Sequence, residues 1–141
     1  MCAVGLATFV TACRRDEPAP DPARAASATL PACARPAASL GWAAPLPTGF
    51  PLPASAVVHS VEPWREGHVA LVRAGGSIRD VAAALARDLP ARGFRVVRSE
   101  VDANDAEISW EGHGCRGDVE LAAVDRCVDA VELRITSVRM P

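Results

Sequence analysis

The chain has 141 residues, half of them apolar, and a net charge of −2, which leaves room for one domain and a tail and excludes global disorder. All 15 cationic side chains are arginine, scattered among acids rather than clustered between aromatic platforms, so no nucleic-acid partner is expected. No apolar run approaches the roughly 18 residues that a spanning helix requires.

The first element is an apolar stretch from Ala3 to Ala12, the length of a signal-peptide h-region. Arg14 to Pro47 follows with most of the prolines, many alanines and no periodic pattern, a composition that does not repay the entropy of ordering. The chain therefore divides into a signal-like segment at 1–12, a disordered Pro/Ala-rich tether at 13–46 and a domain at 47–141.

At the first boundary Val10-Thr11-Ala12-Cys13 resembles the lipobox of bacterial lipoproteins, in which an aliphatic residue and two small ones precede a cysteine. The resemblance implies that the signal is cut before Cys13 and that its thiol carries the acyl chains, palmitate among them. Each buried methylene then contributes about 0.8 kcal/mol to anchoring. It also implies a place in the cell envelope, on a membrane and facing the periplasm or exterior, where a further envelope protein would be the partner. Two features depart from the pattern: no lysine or arginine precedes the run, as a start upstream of Met1 would explain, and valine stands where leucine is commoner. The layout as a whole resembles small uncharacterised envelope lipoproteins of high-GC bacteria, which implies an address without a ligand.

From Pro47 the texture changes. A proline-punctuated entry leads into a strand over Ala56–Glu62, with Val57 and Val61 flanking His59 on one face and Pro63 as its stop. A second strand over His68–Arg73 completes a hairpin through Arg65-Glu66-Gly67. Ile78, Val81, Leu85 and Leu89 then recur at helical spacing, with Ser77 as N-cap, Pro90 tightening the last turn and Gly93 as a left-handed stop.

Four strands follow. The third spans Phe94–Val101, before a turn at Asp102–Asp105. In the next, Ala106, Ile108 and Trp110 oppose Glu107, Ser109 and Glu111. Cys115, Val119 and Leu121 then oppose Arg116, Asp118 and Glu120, and Val131, Leu133 and Ile135 oppose Glu132, Arg134 and Thr136. Period two with one polar face predicts an antiparallel sheet covered on one side. The expected fold is α+β, in order ββαββββ, with the helix stripe against Trp110, Leu121 and Leu133.

With Cys13 acylated and Cys2 removed, Cys33, Cys115 and Cys127 remain in an oxidising compartment. Cys115 and Cys127 are the nearest pair by spacing, but a straight strand from Cys115 carries the thiols well beyond the Cα limit of about 7 Å. A bridge from Cys33 to either partner, and no bridge, stay open beside it. His113 and Cys115 with Cys127 or His59 form the alternative, a periplasmic metal-binding or thiol-redox protein, although H-x-C has no companion motif.

Arg116-Gly117-Asp118 spells an integrin-recognised tripeptide inside a strand and reads as alternating charge on the wet face. Glu107, Glu111 and Glu120 neighbour Arg116 and Arg134 and read as a solvated salt-bridge face rather than an acid–base pair. No nucleophile context, phosphate-cradling loop or dinucleotide fingerprint occurs, so neither catalysis nor a cofactor is expected.

Overall fold

The structure, a computed structural model, describes residues 18–40 and 45–141; the apolar run and Cys13 lie outside them. Six strands form one antiparallel sheet: β1 (Val57–Trp64), β2 (Gly67–Gly75), β3 (Arg95–Val101), β4 (Asp105–Gly112), β5 (Cys115–Ala123) and β6 (Ala130–Arg139). Their order is β1-β2-β6-β5-β4-β3. A short helix α1 (Pro22–Ser27) precedes the sheet and the main helix α2 (Ile78–Ala91) joins β2 to β3. The chain thus crosses from β2 to the far edge through α2, then meanders back until β6 fills the gap beside β2. This is the expected ββαββββ α+β architecture.

Alternation decides which face is dry. Ala106, Ile108 and Trp110 of β4, Val119 and Leu121 of β5, and Val131, Leu133 and Ile135 of β6 are buried in one core with the α2 stripe Ile78, Val81, Leu85 and Leu89. Phe50, from the entry segment, seals that core by meeting Phe94 and Trp110 edge-on, with ring centroids at 5.4 and 5.0 Å. The ends of α2 follow from their residues. Ser77 Oγ accepts the Asp80 N–H at 3.1 Å. Near Pro90 the ladder tightens, with the Arg92 N–H donating to both the Asp88 and Leu89 carbonyls, and Gly93 at φ +84° ends the helix.

Two expectations are corrected. Pro63 does not stop the first strand: β1 runs on to Trp64, because on an edge strand the missing N–H has no ladder partner to lose. His59 occupies a bulge where the register shifts between Val58 and Ser60. One extra residue inverts the parity of what precedes it, so Val58 and Val61 face the core, and not Val57 with Val61.

The larger correction concerns the tether. Residues 18–40 are not a free linker but a strap on the domain. Asp21 caps α1 by accepting the Ala23 N–H at 2.9 Å, and Pro22 suits the first helical position. The Asp21 N–H in turn donates to Asp80 Oδ1 at 2.7 Å. Ala25 is buried against the core, and the chain then passes so close over the end of β2 that a side chain at Gly75 would collide with the Thr29 carbonyl. A 3-10 turn at Ala32–Ala34 carries Cys33, which is disulfide-bonded to Cys127 in the β5–β6 loop, and Cys115 is a free thiol. Arg73 Nη1 donates to the Ala34 carbonyl at 3.2 Å, and the Leu40 N–H donates to the Val58 carbonyl at 2.9 Å on the outer edge of β1. Periodicity could not announce this strap, since it is held by small side chains, backbone groups and one covalent bond.

The bridge joins residues 94 apart in sequence, and a closure of that size removes about 4 to 5 kcal/mol of unfolded-chain entropy. Cys33→Ser should therefore lower the unfolding free energy by up to about 4 kcal/mol in non-reducing urea titrations and expose residues 18–40 to protease, with the far-ultraviolet spectrum of the sheet retained. A variant as stable and as protease-resistant as the native chain would mean that the strap holds without its bridge.

Candidate functional site

Opposite the helix the sheet is open, and strand pairing arranges its side chains in rows. Glu100, Glu107 and Glu120 stand side by side across β3, β4 and β5, and Arg134 of β6 closes the row at 3.4 Å from Glu120. Glu111 lies two rows away, opposite Arg116, and pairs with Arg95 at 2.6 Å. Of the three glutamates singled out in the sequence, Glu111 and Glu120 pair with arginines, while Glu107 stands between Glu100 and Glu120. Such exposed pairs contribute little to stability, typically below about 1 kcal/mol each.

Next to this face lies a groove of about 640 Å³. Trp64 forms one wall and Val97 the other, with Val138 between them. The Arg65 guanidinium sits 4.5 Å from the Trp64 ring centroid, a cation–π contact that fixes the wall's outer end. The floor carries a polar network: Ser109 Oγ donates to Asp118 Oδ1 at 2.6 Å, and the Asp118 N–H donates to Thr136 Oγ1 at 3.0 Å. Thr136 is only 5% exposed, so its hydroxyl is committed to this network. Arg116 and Arg139 stand at the rim.

Chemically the groove offers an aromatic wall, a hydrogen-bonded floor and guanidinium groups on its margin. Those are means of binding. No histidine lines it to take the Ser109 proton, which is already shared with Asp118. A larger cavity of about 860 Å³ lies where the strap crosses the start of α2, but the strap itself, Cys127 and the already capped α2 terminus make its walls. It is a packing seam.

The remaining sequence candidates are dispersed. His113, at φ +53° in the β4–β5 turn, places Nε2 2.9 Å from the Arg92 carbonyl and its ring 4.6 Å from that of Phe94, tying the hairpin to the end of α2. Cys115 is partly buried beside it, in a cleft of about 610 Å³ that His68 also lines. Cys127 sits beyond the opposite end of β5, about 26 Å of strand away, and is bonded to Cys33. His59 lies 3.3 Å from Glu132, which also receives Arg73 Nε at 3.2 Å. The fold does not bring His113, Cys115 and Cys127 together, and no group of three metal-ligating side chains converges among the described residues. Cys13 lies outside them.

Sequence reasoning missed Trp64, Arg65 and Thr136 as site residues. Their meeting depends on β2 pairing with β6, a contact between residues 55 to 71 positions apart that no local pattern reports.

Replacing Thr136 by Val keeps the shape of the floor but removes the acceptor for the partly buried Asp118 N–H. Unfolding titrations should show a loss of about 1 to 2 kcal/mol, and amide exchange should quicken at Asp118. An unchanged exchange rate would place the groove floor outside the cooperative core.

No protein-family model matches the chain and no curated protein matches it by sequence, so its function rests on its own residues.

Proposed function

We propose that the chain is an exported lipoprotein, held at a membrane of the cell envelope by acyl chains on Cys13, whose α+β domain binds or assembles with a partner at the membrane surface. The observation that carries this reading is the Cys33–Cys127 bridge. Disulfides of this structural kind persist in oxidising compartments and are rare in a reducing cytosol. The lipobox-like Val10-Thr11-Ala12-Cys13 supplies the matching address. No described helix is long and apolar enough to cross a membrane, so acyl chains are the anchoring device this reading calls for.

The strap adds a geometrical consequence. The packed body begins where the Asp21 N–H meets Asp80. Even fully extended, the chain from Cys13 to Asp21 reaches no more than about 30 Å. The domain would be a membrane-proximal body, with its groove offered to something that is itself at the surface.

Mass spectrometry of the mature chain from a bacterial host should find an acylated Cys13 as its first residue. Cys13→Ser should move the folded domain from the membrane to the soluble fraction. Soluble native chain that retains residues 1–12 without acylation would overturn the reading.

A further inference from the structure

Each edge strand carries a bulge, at His59 of β1 and at Val97 of β3, but the two edges differ in what else covers them. The β1 edge is blunted by the His59 bulge and Pro63, and the strap occupies part of it through the Leu40 N–H. The β3 edge pairs with β4 on one side only, and among the described residues no other segment hydrogen-bonds along its outer side. It exposes Val97 and Val101, 50% and 43% accessible, with Arg98, Ser99 and Glu100 between them, all exposed. An edge of this kind is a template for another strand.

Charged side chains on an edge ordinarily discourage pairing, and a run of one sign would repel a copy of itself. Here the order matters. Val97-Arg98-Ser99-Glu100-Val101 reads the same from either end in size and polarity but with its charge inverted. Antiparallel pairing with an identical strand about a two-fold axis at Ser99 puts Arg98 of each copy opposite Glu100 of the other. Both residues lie on the open face of the sheet, opposite Ser109 and Glu107 respectively, so the two new pairs form on the same side. Val97, at the β3 bulge, and Val101 lie just outside the regular stretch Arg98–Glu100.

The surrounding charge favours the same partner. Glu100 is directly opposed by Glu107, and Glu107 by Glu120, a like-charge row whose open end is the β3 edge. Within one copy Arg98 already leans toward it, with Nη2 2.6 Å from Glu100. The second copy would bring another guanidinium to the end of that row.

We infer that β3 is a homodimerisation edge, joining two sheets into one continuous twelve-stranded sheet through the inverted-charge motif centred on Ser99. This does not depend on the lipid anchor or on the groove. Only about three residues pair regularly from each copy, so the contact is of the weak class. The partner is a second copy of this chain because no unrelated strand would be expected to match that charge order.

Charge reversal tests it. Sedimentation equilibrium of the full chain, up to millimolar concentration, should show a monomer–dimer equilibrium. Arg98→Glu and Glu100→Arg, each alone, should weaken it about tenfold, since each sets two like charges face to face. An equimolar mixture of the two variants should restore association, because every facing pair is again of opposite sign. Residues opposite each other in an antiparallel ladder have Cα atoms about 4.5 to 5.5 Å apart, within disulfide range. Ser99→Cys should therefore form, under mild oxidation, an intermolecular bridge between the two introduced thiols, identified by peptide mapping. A chain that stays monomeric throughout, or a dimer that both single reversals leave intact, overturns the inference.

Discussion

The constraint on which this structure depends is that one helix has to cover a sheet wider than itself. At fourteen residues α2 is about 21 Å long, whereas six strands span about 24 Å between the outer two and several ångströms more with their side chains. Its contacts with the sheet fall chiefly on β3, β4 and β5. Apolar side chains elsewhere on that face, such as Val58, Ala70 and Val72, need other cover. The entry segment supplies it with Leu46, Phe50 and Leu52, while α1 packs against α2 itself. Of this cover, Leu46 and α1 belong to the segment whose composition reads as linker.

That requirement explains which parts of the molecule were legible. Alternation in β4, β5 and β6, and the spacing of Ile78, Val81, Leu85 and Leu89, are local patterns that follow from burial on one face, and the fold class came with them. His59 broke the reading of β1 because a bulge is set by pairing, not by the strand's own residues. The strap escaped because Ala25 and Ala34 bury little area each and Cys33 gave no hint which thiol it would meet. Of the open face, the salt-bridged character was readable from alternating charge. The groove was not, since Trp64, Asp118 and Thr136 meet only through the insertion of β6 between β2 and β5.

The open face divides by strand. On β3, β4 and β5 it is densely charged, with the glutamate row and its arginine partners; on β1, β2 and β6 it is quieter, with Trp64, Val69, Leu71 and Val138 among fewer charges. The groove crosses both halves at one end of the sheet, from Trp64 to Val97, with Ser109, Asp118 and Thr136 hydrogen-bonded to one another in its floor.

The disulfide deserves a physical weighting against the contacts it accompanies. The strap's buried apolar side chains are small, Ala25 and Ala34 with a half-covered Leu30, and at about 25 cal/mol per Å² such residues contribute only a few kcal/mol toward ordering more than twenty positions. Hydrogen bonds from Asp21, Arg73 and Leu40 add modestly. Closing a loop across 94 residues contributes about as much again, comparable to the lower end of a small domain's whole stability. A strap built from alanine is thus sufficient where cysteines oxidise and marginal where they do not. The compartment is in that sense part of the fold: the same sequence kept reduced would have a looser strap and a less completely covered helix.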